Sequence, residues 1–170
     1  MSLNEKQKKL IGNWRLEKNG DNYGEYLDAI EIGVFKKTLA LSIAPDVIIN
    51  VDPSDCNKWN CSVVSPFKNK TWNFILNNKK EDVTIDDRVF YITVTLTENG
   101  EMIEKQEIVP NNLTTGIPSI ITRYVNDEGQ LVVKCQAKDV TAYRYYKDCF
   151  IGGSNSSYNQ LLASGNILSP

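Results

Sequence analysis

From residue 46 onwards, apolar and polar residues alternate in short runs, which is the two-residue period of half-buried strands. The runs are DVIINV (46–51), KWNCSVVS (58–65), KTWNFIL (70–76), EDVTI (81–85), VFYITVTLT (89–97), EMIEKQEI (101–108), SIITRYV (119–125), QLVVKCQA (130–137) and TAYRYYKD (141–148). Turn residues such as DPSD, NN, DD, ENG, NDEG and KD lie between them. With GNWRLEKN (12–19) they make ten predicted strands, spaced as in an antiparallel sandwich or barrel. Successive hairpins without a long crossover predict an all-β, ten-stranded antiparallel up-and-down barrel, closed so that no sheet edge is left.

Helical periodicity appears between the first and second strands. Tyr23, Tyr26, Leu27 and Ile30 form one apolar face, with Asn22 as the predicted cap and Glu25 as its capping-box partner. After Gly33 a second helical segment, VFKKTLALS, runs to Ser42, and Pro45 ends it. A helix-turn-helix at this point is placed to lid one end of a barrel. The barrel domain is assigned to residues 1–150. Residues 151–170, rich in Gly, Ser and Asn, read as a flexible tail.

The last strand poses a chemical question. Ala142, Arg144 and Tyr146 share one face, and Tyr143, Tyr145 and Lys147 the other. Alternation leaves either face eligible for burial. If the first is buried, an arginine points inward and needs an anion. The chain has four arginines against fifteen lysines. Lysine is therefore the solvated cation, while Arg123 and Arg144 fall on strands among apolar neighbours.

Composition narrows the chemistry. The 170 residues carry a net charge of −2 and no histidine. That removes Ser-His-Asp and Cys-His catalysis and every His-containing zinc site, and it leaves no basic footprint for nucleic acid. Cys56, Cys61, Cys135 and Cys149 include no CxxC pair and read as free thiols. With no metal cluster and no phosphate-binding glycine loop, neither an enzyme nor a cofactor is expected. The carboxylates of Asp86-Asp87 are adjacent and point apart. The polar, lysine-rich start reads as lacking a signal peptide, so a cytoplasmic location is expected.

The residues resemble the intracellular fatty-acid-binding proteins, the calycin family that includes the cellular retinoid binders. The resemblance rests on GNWRLEKNGDNYGEYLDAIEIG at the start, APDVIINV, FKNKTWNFILNNKKEDVTIDDR (67–88), and GQLVVKCQAKDVTAYRYY at the end. It implies a ten-stranded barrel, a helical lid and an internal cavity for a long-chain carboxylate. It also implies that Arg144 and Tyr146 are the inner pair that holds that carboxylate, with Arg123 as a second inner cation. The turn NDEGQ is one residue longer than the family pattern, and alternation of Ile121, Arg123 and Val125 supports Arg123 over Tyr124 for that role. Gln106, Val133 and Cys135 match further cavity positions. Tyr26, Leu27, Phe67, Ile85, Asp86 and Arg88 match the portal and upper cavity.

The resemblance thus implies a non-catalytic, monomeric carrier of long-chain fatty acids. A carrier of retinoic acid, or a secreted lipid carrier, is the alternative. Asp86 and Arg88 are expected to pair at an exposed portal turn, where a pair is worth little. Lys36 and Lys37 on the second helical segment are candidates for transient contact with an anionic membrane. The hairpin after Asn50 is about three residues longer than the family pattern, and VPNNLTTGIP (109–118) adds about six.

Overall fold

The computed structural model describes residues 2–149. The predicted tail lies outside the described residues. The elements in order are α1 (Glu5–Lys8), β1 (Gly12–Asn19), α2 (Tyr23–Ala29), α3 (Val34–Ser42), β2 (Asp46–Asp52), β3 (Asp55–Val64), β4 (Lys70–Ile75) and β5 (Lys80–Val83). They continue with β6 (Val89–Leu96), β7 (Met102–Glu107), β8 (Ile120–Val125), β9 (Leu131–Ala137) and β10 (Val140–Asp148). All ten strands predicted from alternation are present, within a few residues at each end.

The sheet has ten strands in the order β4-β3-β2-β1-β10-β9-β8-β7-β6-β5, each antiparallel to its neighbours. It curls into an up-and-down β-barrel of the β-clam type, with α2 and α3 between β1 and β2. The ladder does not close, contrary to the fully closed barrel expected from the hairpins, because β4 and β5 are not paired. The reason lies in the turn between them. Asn77 takes a left-handed φ of 62° and its N–H donates to Val94 O at 2.8 Å, which steers the chain onto β6. Side chains bridge the opening instead: Trp72 Nε1 donates to Val83 O at 2.8 Å, and Lys80 Nζ to Asn73 O at 2.6 Å.

Burial follows the strand period. In β6, Phe90, Ile92 and Val94 are buried, and in β9 so are Leu131, Val133 and Cys135. Trp14 and Leu16 of β1 are buried as alternation predicts, and Trp14 Nε1 finds Leu10 O at 3.1 Å. The short α1 went unforeseen in the polar, lysine-rich start. Asn4 and Gln7 form a reciprocal capping box there, and Gln7 Nε2 then donates to Thr97 O at 3.1 Å in the β6–β7 turn.

The lid differs from expectation in one detail. Tyr23, Tyr26, Leu27 and Ile30 are buried as the helical spacing predicts. Asn22, however, makes no side-chain cap bond; its φ of −90° and ψ of 7° are not those of an extended cap, and the expected capping box is absent. Its Nδ2 instead donates to Thr141 O at 3.4 Å, and the preceding Gly20 N–H bonds Tyr143 O at 2.7 Å. Hydrogen bonds to β10 rather than a cap thus set the start of α2. No helix among the described residues is long and apolar enough to cross a membrane.

Candidate functional site

A cavity of about 470 Å³ lies between the lid and the inner face of the curled sheet. Its lining includes all twelve residues singled out from the sequence: Arg144, Tyr146, Arg123, Tyr26, Leu27, Phe67, Ile85, Asp86, Arg88, Gln106, Val133 and Cys135. The ambiguous face of β10 is resolved. Ala142 and Tyr146 are 1 % and 2 % exposed, whereas Lys147 is open to solvent. Arg144 therefore points inward.

Strand register aligns the two inner arginines. Arg144 pairs across with Val133, and Val133 pairs with Arg123, so one row crosses β10, β9 and β8. Their environments differ. Arg123 Nη1 donates to Glu104 Oε2 at 2.9 Å, and both side chains are largely buried, at 16 % and 17 % exposed. Burial pulls the Arg123 pKa down, but the Glu104 charge and hydrogen bond outweigh it and leave the guanidinium more firmly protonated than usual. Glu104 also accepts from Gln106 Nε2 at 2.8 Å.

Arg144 has no carboxylate partner among the described residues. Its Nε donates to Asn19 Oδ1 at 2.9 Å, and its guanidinium carbon lies 4.4 Å from the Tyr23 ring centroid and 5.6 Å from that of Tyr146. Neither Nη group has an acceptor among the described residues. Burial pushes the Tyr146 hydroxyl pKa up, with Arg144 opposing, so the group stays a protonated donor at neutral pH. Burial likewise pushes the Cys135 thiol up to about 11, which leaves it an apolar wall rather than a nucleophile.

The portal end corrects an expectation. Asp86 and Arg88 do pair, with Nε to Oδ2 at 2.5 Å and Nη2 to Oδ1 at 3.2 Å, but the side chains are only 17 % and 16 % exposed. The insertion at 109–118 packs against Arg88, since a Cβ on Gly116 would fall 2.6 Å from Arg88 Cδ. Phe67, by contrast, is 65 % exposed at the rim. Lys36 Nζ donates to Asp86 O and Lys37 Nζ to Asp28 Oδ2, each at 2.6 Å, so both ammonium groups bond to the protein.

The arrangement is a pocket open at its rim, with largely apolar walls and one inner arginine left unbalanced. Arg123 has Glu104, Arg88 has Asp86, and Arg144 has no counter-ion among the described residues. A single negative charge on a long apolar body is the complement of such a pocket.

Comparison with known proteins bears on this geometry. No protein-family model matches the sequence. A fatty acid-binding protein 5 from Pygoscelis papua is 30% identical over 137 residues, covering 81% of this chain and 94% of that one. The chain belongs to the fatty acid-binding protein family. Apo lipid binding protein 8 of Caenorhabditis elegans superposes with a TM-score of 0.73 at 26% identity, covering 87% of this chain and 99% of that one. A Schistosoma mansoni fatty acid binding protein in complex with arachidonic acid shares the fold, with a TM-score of 0.72 at 20% identity and coverage of 84% and 98%.

This fatty acid-binding protein has site residues that sequence reasoning passed over. Glu104 alternates with Met102 and Gln106 on the inner face of β7, so EMIEKQEI already placed a carboxylate beside Gln106. Asn19 stands opposite Arg144 in the β1–β10 register, a relation that local sequence does not carry. Tyr23 reads only as core until Arg144 is seen over its ring.

The Asp86–Arg88 pair also makes stability depend on pH. Burial pushes the Asp86 carboxyl up, but its hydrogen bond and charge contact with Arg88 prevail and hold it below the usual range. A depressed folded-state pKa stabilises the fold above the unfolded carboxylate value, about pH 4, and that contribution is lost as pH falls through the lower folded value. Asp86→Asn is therefore expected to flatten the decline of the urea midpoint between about pH 5 and pH 2. An equally steep decline in the variant would exclude Asp86 as a source of acid sensitivity.

Proposed function

We propose that this protein is a non-catalytic carrier of long-chain fatty acids in the cytoplasm, and that Arg144 and Tyr146 hold the ligand carboxylate inside the cavity. The observation that carries this reading is the inward Arg144, desolvated and without a carboxylate partner among the described residues. Guanidinium offers a planar, two-pronged match to carboxylate and stays charged when buried. The Tyr146 hydroxyl, on the same face two residues on, supplies a third donor. Arg123 lies in the same row with Glu104 as its counter-ion, so it contributes field and shape more than a free charge.

Magnitudes divide the work between the two ends of the ligand. Burying fifteen methylenes at ~0.8 kcal/mol each amounts to roughly 12 kcal/mol before association costs. A buried carboxylate–arginine contact nets far less, because desolvation offsets most of its attraction. The acyl chain supplies affinity, and Arg144 selects a carboxylate and fixes its direction. In displacement of a fluorescent fatty acid, oleate is expected to compete at least about tenfold more strongly than methyl oleate, the scale of one charged hydrogen bond. Equal competition by the ester would contradict the carboxylate site.

A further inference from the structure

The inner face carries an acid as well as its arginines. Glu104 lines the cavity from β7, largely buried, and accepts from Arg123 Nη1 at 2.9 Å and from Gln106 Nε2 at 2.8 Å. Stability alone does not account for the pair, because apolar residues of similar volume often match or better a buried ion pair. The pair also lies at the headgroup end. Arg123 stands in one cross-strand row with Val133 and Arg144, two strand spacings from Arg144, or roughly 10 Å.

The charges at this end do not balance. Arg144 and Arg123 are positive and Glu104 is negative, so an entering head meets a surplus of one positive charge. The other ionisable groups there are Tyr23 and Tyr26 on α2, Cys61 on β3, Cys135 on β9 and Tyr146 on β10. Burial raises the pKa of each, which keeps all of them uncharged at neutral pH. Elsewhere on the lining, Lys68 pairs with Asp87, Lys80 with Asp82 and Arg88 with Asp86. One ligand charge neutralises the surplus, and a second stays unbalanced in a desolvated site. Without Glu104, Arg123 would take it.

We infer that Glu104 is a specificity-determining residue: by cancelling Arg123, it limits the bound head to one negative charge. Singly charged lipids are accepted, and lipid phosphates in their dianionic form are rejected. The inference rests on the carrier reading above, which gives the kind of ligand but not the charge limit. A long-chain phosphate monoester enters only by taking up one proton from solvent, as a monoanion, and no other bond changes.

Hexadecyl sulfate and hexadecyl phosphate test this. Their tetrahedral heads match in shape and differ by one charge above the second phosphate pKa of about 6. Each is competed against a fluorescent fatty acid, with palmitate as reference, from about pH 6.5 to about pH 8.5. In the native protein the phosphate is expected to weaken relative to the sulfate by about 50- to 100-fold over that range. That is the cost of the proton it must take up. In Glu104→Gln the relative loss shrinks to about tenfold or less, because charges roughly 10 Å apart in an interior change affinity on the order of tenfold. The double variant Glu104→Gln with Arg123→Gln, which drops one charge of each sign, returns to the native decline.

A native phosphate-to-sulfate ratio that is independent of pH overturns the inference, as does the same decline in native protein and in Glu104→Gln. A flat profile in the double variant overturns it too, and that variant leaves no member of the pair uncompensated should the single one fold poorly. Palmitate binding without hexadecyl sulfate would overturn the charge limit in favour of head shape, with the carrier reading intact. If neither displaces the probe, the carrier reading itself falls, and the inference with it.

Discussion

Glu104→Ala is expected to destabilise the protein by about 3–5 kcal/mol, the scale for removing one partner of a buried ion pair. Glu104 and Arg123 are 2.9 Å apart with side chains 17 % and 16 % exposed, and Glu104 also accepts from Gln106. Truncation leaves a guanidinium desolvated without its counter-ion and removes the acceptor of a buried amide donor. Urea unfolding followed by tryptophan fluorescence reads the loss as a lower midpoint. The double variant Glu104→Leu with Arg123→Leu is expected to recover much of it, because no uncompensated charge then remains. A loss below about 1 kcal/mol in the single variant would show that Arg123 does not depend on Glu104, and that its charge is free for a ligand.

Arg144→Met is expected to behave in the opposite way. Fatty-acid affinity falls about 10- to 100-fold, the range for one or two hydrogen bonds to a charged group, while the ligand-free protein unfolds at the same urea concentration or a higher one. An unpaired buried cation is a cost to the fold, so removing it offsets the lost contacts with Asn19 and Tyr23. Affinity and stability therefore separate at Arg144, whereas at Glu104 the fold responds first. A variant that loses stability and affinity in proportion would mark Arg144 as a structural residue.

The two arginines show what the sequence carries and what it does not. Strand alternation found every strand, because one-faced burial imposes a period of two on each. Alternation alone left β10 with two eligible faces, and the choice of Arg144 and Tyr146 came from resemblance to the fatty-acid-binding proteins. Neither indicated that Arg123 already has an acid beside it, since that acid comes from another strand and depends on register. Helix spacing located α2, but Asn22 turned to β10 because a neighbouring strand competes for the same side chain. The opening between β4 and β5 rests on one left-handed asparagine, which in sequence is an ordinary turn residue. The 109–118 insertion packs against Arg88, and a loop's length does not say where it packs.

What distinguishes the proposed site from a generic apolar pocket is direct contact between the ligand carboxylate and the Arg144 charge. Oleate enriched with carbon-13 at its carboxyl reports this contact, because its chemical shift follows ionisation. The bound carboxyl is expected to titrate about one to three pH units below an ordinary carboxylate, as an acid beside a guanidinium does, and to return toward the ordinary value in Arg144→Met. A bound carboxyl that titrates identically in the native protein and in Arg144→Met would place the headgroup away from Arg144 and contradict the site.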